Sequence, residues 1–486
     1  MWNTDAGPPL DLKNAMDSAA TDASDLSALL QKQREAHRRE PCPDWATRAA
    51  RLRTLRAMLL DNREPICKAI GADFGCRPVE ETQLLELFPS LTAIRHALRH
   101  GKRWMRPRHG FAGLWFLPAR TTLMAQPVGV VGVIVPWNYP LFLAVGPVID
   151  ALAAGNRVMV KMSEYTPTFS ALFAELCARH FPDGAVTVVN GGPDVAQAFS
   201  ALPFDHLLFT GSTAVGRLVM RAAADNLTPV TLELGGKSPA IIGPGADFEH
   251  AVERIIYGKC VNAGQTCIAP DYVLLPRDRE QAFIDTARKV FARLYPDFAD
   301  GSSYASVITD RQYERLATTR DDAIAHGAIA HPLTTTTSDV VRRMAPTLFT
   351  NVDPGSRLMR EELFGPLLPL VPYATLDEAF AFVDARPHPL SLYLFERSKA
   401  VQRRVLRRQL AGGVCVNDTL YHIVQHSLPF GGVGDSGMGA YHGKFGFDAF
   451  SKLKPVFRQA RFNGVGLLNP PYGKRFQHML KLLTRH

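Results

Sequence analysis

The chain has 486 residues, 46% hydrophobic and 21% charged, the composition of an ordinary globular protein and too long for a single hydrophobic core. Its formal net charge is +9, yet it shows neither zinc-finger spacing nor the aromatic-basic repeat of single-strand binders, so nucleic acid is not an expected partner. Seven scattered cysteines without CxxC spacing argue against a disulfide framework and against a zinc or other metal site, and for a reducing, cytoplasmic setting.

Residues 1–24 carry several aspartates and lack the basic-then-apolar pattern of a signal peptide. From 25 to 73, apolar positions such as Leu52, Leu55, Met58 and Leu59 recur at helical spacing and predict a helical scaffold. Residues 121–149 contain no charged side chain, enough length to raise the question of a membrane span. Pro127, Pro136, Pro140 and Pro147, with Gly129, Gly132 and Gly146, would interrupt one continuous helix. The segment therefore reads as a buried strand over 128–135, a turn, and a buried helix over about 141–153.

Alternation continues with a strand at 157–161, a helix at 169–180, and strands at 185–190 and 206–209. This interval marks an open parallel sheet with helices on both faces, which binds ligands beyond the carboxyl ends of its strands. A second alternating block runs from about 238 to 448, broken by a polar tract at 334–338 that reads as a surface loop. Residues 464–472 are rich in Gly, Asn and Pro and lead into a basic helix. There Phe476, Met479, Leu480 and Leu483 share a face opposite Lys474, Lys481 and Arg485. Packing on the core or a partner subunit, or covering a ligand entrance, is preferred over membrane contact for this helix.

Cys267, in Gly264-Gln265-Thr266-Cys267, and Glu233, in Glu233-Leu234-Gly235-Gly236-Lys237, pair a nucleophile with a base. A thiolate is the strongest side-chain nucleophile near neutral pH. A carboxylate desolvated among glycines and apolar residues has a raised pKa and serves as a base there. The glycines let backbone approach a ligand closely. Cys177, Cys260 and Cys415 read as structural thiols. In Thr210-Gly211-Ser212-Thr213-Ala214-Val215-Gly216 a strand turns into a helix, placing Ser212 and free N–H groups at a phosphate site or forming a plain tight turn. Gly235-Gly236-Lys237-Ser238 ends like a phosphate-cradling loop, but Thr231 stands where its first glycine belongs, so an NTPase is rejected. Lys161 and Glu164 close a buried strand, either to hold ribose hydroxyls or as a solvated edge. Pro136-Trp137-Asn138-Tyr139-Pro140 is a rigid turn whose Asn138 could offer an amide N–H to a developing oxyanion or simply cap the turn.

Trp137-Asn138, the Gly211 to Gly216 turn, Glu233 to Lys237, Gly264 to Cys267, Glu361-Glu362-Leu363-Phe364-Gly365-Pro366 and Leu428-Pro429-Phe430-Gly431-Gly432 occur in an order and spacing that resemble the aldehyde dehydrogenase superfamily over roughly residues 25–454. His426 to Gly434 and Ser436 to Gly443 resemble its class 3 branch. Ala72-Asp73-Phe74-Gly75 and Asn469-Pro470-Pro471-Tyr472-Gly473 resemble the bacterial coniferyl-aldehyde dehydrogenase members.

The resemblance implies an α/β fold: a doubly wound parallel-sheet cofactor domain (25–108 and 127–233), an α/β catalytic domain (234–450) and a small bridging β element (109–126 and 451–461) that makes a homodimer. These are flanked by an N-terminal extension (1–24) and a tail (462–486) with the basic amphipathic helix. It further implies that Cys267 attacks an aldehyde, that Asn138 and the Cys267 N–H hold the oxyanion, and that Glu233 activates water to release a carboxylic acid. Lys161 and Glu164 would hold the adenosine ribose, Gly211, Ser212, Gly216 and Trp137 the pyrophosphate side, and Glu362 and Phe364 the nicotinamide ribose. Glu164 would repel a 2′-phosphate, favouring NAD while allowing NADP. The expected reaction is oxidation of an apolar aldehyde, coniferyl-type first and medium- or long-chain aliphatic second. A cofactor-independent thiol esterase and an inactive membrane-associated binding protein are the readings from other classes.

Overall fold

A computed structural model describes residues 25–484, so the extension 1–24 and the expected part of Arg485 in the terminal helix lie outside the described residues. The chain opens in helices Leu26–Arg39, Trp45–Asp61, Arg63–Phe74 and Phe88–Trp104. Asp44 caps the second by accepting the Thr47 N–H at 2.8 Å, and Leu52, Leu55, Met58 and Leu59 are fully buried, as their spacing predicts.

Two strands follow, β1 (Arg108–Gly110) and β2 (Arg120–Pro127). Next come β3 (Val130–Ile134), β4 (Arg157–Lys161), β5 (Val186–Val189), β6 (His206–Gly211) and β7 (Val230–Leu234), all parallel in the order β7-β6-β3-β4-β5. Every residue of β3 and β4 is buried, because helices cover both faces of the sheet. The uncharged segment resolves into β2, β3, the proline turn and helix Phe142–Ala154, all of whose residues are buried. Gly155, at φ 93°, ends that helix in the left-handed conformation, and its N–H bonds Leu152 O at 3.1 Å. Among the described residues no helix is long and apolar enough to cross a membrane.

The second sheet contains β8 (Pro239–Ile242), β9 (Tyr272–Pro276), β10 (Ile329–Pro332), β11 (Thr347–Thr350), β12 (Leu367–Tyr373), β13 (Ser391–Phe395) and β14 (Gly413–Val416). Its order is β10-β11-β12-β9-β8-β13-β14, with only the edge strand β10 antiparallel. The tract at 334–338 is a loop.

The end of the second alternating block departs from its sequence reading. β15 (Gly437–Met438) returns to the first sheet, antiparallel to β7, with Gly437 opposite Glu233. Helix Gly443–Ala449 packs against Phe142–Ala154 and Phe88–Trp104. Gly437 sits at φ 151°, and a Cβ there would meet Leu232 O at 2.4 Å, so glycine is required for the return. β16 (Ser451–Arg458) then pairs antiparallel with β2 in a separate sheet ordered β1-β2-β16. The terminal helix Lys474–Leu483 has no buried residue. The expectation that it packs on the chain's own core is thus corrected: its Phe476 ring meets Tyr472 at 4.7 Å.

One buried ion pair ties the helices to the turn after β3. Arg77 Nη1 lies 3.0 Å from Glu86, with both side chains wholly inaccessible, and also donates to Asn138 O at 3.0 Å. Glu86 accepts the N–H groups of Leu141 and Phe142 at 2.8 and 3.1 Å. Removing one partner strands the other charge in a low-dielectric interior. Arg77→Met is expected to cost about 3–5 kcal/mol of stability by denaturant unfolding; an unchanged midpoint would show that the pair does not hold the turn.

Candidate active site

Cys267 follows helix Phe248–Cys260 through a sharp turn, Val261–Gly264. Asn262, Ala263 and Gly264 all have left-handed φ values, of 51°, 52° and 73°, and a Cβ on Gly264 would meet Gly365 O at 2.4 Å. Amide side chains lock this conformation. Asn262 Nδ2 donates to Asn138 O at 3.1 Å, Gln265 Nε2 donates to Asn262 O at 2.9 Å and Ser306 O at 3.0 Å, and Gln265 Oε1 accepts the Ile308 N–H at 2.9 Å. Asn138, buried on the proline turn, donates through Nδ2 to Gln265 O at 3.1 Å. The turn and the cysteine loop thus form one rigid unit, and a second N–H of the Asn138 amide stays free.

Glu233 lies on β7, between Thr210 of β6 and Gly437 of β15. It is 3% exposed and neither carboxyl oxygen has a hydrogen-bond partner. Burial raises its pKa well above the usual carboxylate range. The half-buried Cys267 thiol is also pushed up, by burial first and then by Glu362 and Glu233. Glu362 is raised to about 8, by burial and then by Asp271, against lowering contacts from Gly236 N–H, Lys237 and Arg315.

Burial thus disfavours the charged form of both the thiol and the carboxyl. Groups with raised pKa values reach their reactive, deprotonated forms only as pH rises. Turnover is accordingly expected to climb from pH 6 to 9 without levelling near 6, and a profile flat across that range would contradict the burial of both groups.

Cys267 lies where two pockets meet. One, of about 740 Å³ partly open to solvent, is bordered by Trp137, Asn138, Gly211, Ser212, Glu233, Glu362 and Phe364, so seven residues singled out in the sequence converge there with the cysteine. The other, of about 790 Å³, is almost wholly apolar and includes Leu84, Phe88, Phe142, Leu143, Ile423 and Val424. Lys161 and Glu164 stand apart from the first pocket, on the same carboxyl edge of the sheet, 3.8 Å from each other. Lys161 Nζ also donates to Met162 O at 2.7 Å. Ser212 caps helix Thr213–Ala224, accepting the Val215 N–H at 3.4 Å.

Gly216 does not face the groove, contrary to its expected ligand role. A Cβ there would meet Leu234 Cδ2 at 2.6 Å, so this glycine seats the helix on β7. Lys237 explains the rejected phosphate-loop resemblance: its ammonium bonds Asp271 at 2.6 Å and the Leu358 and Glu361 carbonyls at 2.9 Å. It clamps the backbone and is not free for a phosphate.

The first pocket fits a dinucleotide. Thr210 Oγ1 and Glu362 Oε1 are buried acceptors without partners, Gly235 leaves room for Glu362, whose carboxyl a Cβ would meet at 2.0 Å, and the helix after Ser212 offers its first-turn N–H groups. Gln312 and Arg315 also border it, and sequence reasoning missed both, because they sit on a helix with no motif around them. The apolar wall was missed for the same reason: Leu84, Tyr257 and Val424 come from three distant segments.

The chain is similar to known proteins over most of its length. The aldehyde dehydrogenase family model matches residues 5–456. A probable coniferyl aldehyde dehydrogenase of Pseudomonas aeruginosa is 51% identical over 95% of this chain and 96% of its own length. A coniferyl aldehyde dehydrogenase of Pseudomonas sp. is 43% identical over 96% and 98%. The solved structure of Staphylococcus aureus AldH in its substrate-bound state superposes with a TM-score of 0.88 at 35% identity, covering 94% of this chain and 99% of that one.

Proposed function

The chain belongs to the aldehyde dehydrogenase family and oxidises an aldehyde to its carboxylic acid with NAD or NADP, and from that premise we propose that Cys267 is the nucleophile and coniferyl aldehyde, a 4-hydroxycinnamaldehyde, the substrate. The observation that carries this reading is the position of Cys267 between a polar groove and an apolar pocket. An aldehyde entering from the apolar side and a hydride acceptor in the polar groove can meet at the carbon bound to that sulfur.

The Cys267 thiol gives its proton to solvent, and Sγ adds to the aldehyde carbon, forming a C–S bond as the carbonyl π bond breaks to an alkoxide. The free Asn138 amide N–H and the Cys267 backbone N–H receive that oxyanion. Ser212 and the helix N-terminus, Glu362, Phe364, Lys161 and Glu164 would hold NAD(P)⁺, which would accept the hydride leaving the former aldehyde carbon, so that the Cys267 adduct becomes a thioester. Glu233 then takes a proton from water as the water attacks the Cys267 thioester. Collapse breaks the C–S bond, returning the thiolate and releasing the acid. Isolation from hydrogen-bond donors keeps Glu233 basic enough for that step.

The test is NAD(P)H formation with coniferyl aldehyde, hexanal and a long-chain aldehyde, each with both cofactors. Preference for coniferyl aldehyde supports the substrate assignment, and preference for an aliphatic aldehyde overturns it. Glu164, exposed beside Lys161, repels a 2′-phosphate. Glu164→Gln is expected to raise the NADP-to-NAD ratio of kcat/KM roughly tenfold, about 1.4 kcal/mol, and no change would remove Glu164 from the ribose site.

The proposal extends to a cytoplasmic homodimer. All seven cysteines are unpaired, as in a reducing compartment. The β1-β2-β16 sheet exposes its edges together with Phe111, Trp115 and Phe457, an apolar surface suited to a second copy. Light scattering at the monomer mass would contradict the dimer.

A further inference from the structure

The apolar pocket beside Cys267 carries a polar feature that aldehyde oxidation does not use. Of its polar side chains other than Cys267, Tyr139 and Thr266 satisfy each other, hydroxyl to hydroxyl at 2.7 Å. The phenols of the half-buried Tyr257 and the exposed Tyr421 sit side by side on the pocket wall, close enough to share a hydrogen bond. Behind them the Arg254 guanidinium lies 4.5 Å from the Tyr257 ring and 5.4 Å from the Tyr421 ring, attractive cation–π geometry. Asp418 anchors it at 2.6 Å through Nε, while its buried Nη2 has no partner. The loop bearing Tyr421 is tied to the Tyr257 helix: Thr419 Oγ1 donates to Arg254 O at 2.9 Å. Gly258 permits the approach, since a Cβ there would meet Thr419 Oγ1 at 2.5 Å.

We propose that Tyr257 and Tyr421, backed by Arg254, form the recognition site for the para-hydroxyl of a 4-hydroxycinnamaldehyde, an inference that rests on the substrate reading above. In such a substrate the hydroxyl is conjugated through the ring and the alkene to the carbonyl. It is therefore a stronger donor than an ordinary phenol. The tyrosine oxygens accept its hydrogen bond, and the guanidinium behind them stabilises the partial charge that develops on its oxygen. An aliphatic aldehyde, or a methyl ether of the phenol, cannot donate this bond to the pair.

The experiment compares kcat/KM with NAD for coniferyl aldehyde, cinnamaldehyde and 3,4-dimethoxycinnamaldehyde, in the wild-type protein and in the Tyr257→Phe/Tyr421→Phe double variant. The ratio between substrates is independent of how much of each preparation is folded. The wild type is expected to favour the free phenol over both analogues by roughly tenfold or more, and the double variant by less than about threefold. Equal use of the three substrates by the wild type, or a preference that survives in the double variant, overturns this site while leaving the substrate class intact. Turnover of hexanal with none of the three aromatic aldehydes overturns the substrate reading itself.

Discussion

Cys267→Ala is expected to lower aldehyde oxidation by roughly 10⁵-fold, about 7 kcal/mol at 1.36 kcal/mol per decade, while leaving dinucleotide binding intact. The size of the effect follows from the site's construction. No second thiol stands at the junction of the two pockets, and Cys260 is fully buried elsewhere. Without Sγ the carbonyl has no partner for the bond that makes hydride departure favourable. The fold should tolerate the change, because the loop is held by Asn138, Asn262 and Gln265 and not by the thiol. Trp137 borders the dinucleotide groove, so cofactor binding can be followed by tryptophan fluorescence. Turnover within a few-fold of wild type would refute covalent catalysis through Cys267.

The second large effect separates the two halves of the reaction. Glu233→Gln is expected to release about one equivalent of NAD(P)H per site in a first turnover and then to slow the steady rate by roughly 10²–10⁴-fold, the usual worth of a general base. Glutamine keeps the shape of the side chain but cannot take a proton from water, so the acyl group stays on Cys267. Intact mass of the stalled protein should show that adduct, and hydroxylamine, a stronger nucleophile than water, should restore turnover. An undiminished steady rate would assign the deacylating base elsewhere. Loss of the first turnover as well would mean that Glu233 acts before hydride transfer.

Both predictions rest on residues that short motifs make legible. Asn138 stands between two prolines, Glu233 before two glycines, and Cys267 after a glycine at a left-handed φ of 73° that glycine adopts without cost. In each case local backbone chemistry shapes the turn, so sequence carries the information. The strands beside them were equally readable, because a parallel sheet buried on both faces demands the uninterrupted apolar runs of β3 and β4.

Other features depend on contacts between residues far apart in the chain. Gly216 looked like part of a phosphate turn, but its neighbour is Leu234, visible only once the helix is laid on β7. Residues 437–449 read as the end of the second block, yet β15 pairs with β7, because an edge strand takes whichever open backbone it reaches. By itself, the amino-acid sequence determined the proposed reacting groups, the strand and helix order and the family resemblance, since each is encoded in a contiguous stretch of chain. Tertiary structure alone decided the upward pKa shift at Cys267, the apolar pocket and its tyrosine pair, because desolvation and cavity shape are sums over side chains that only folding assembles.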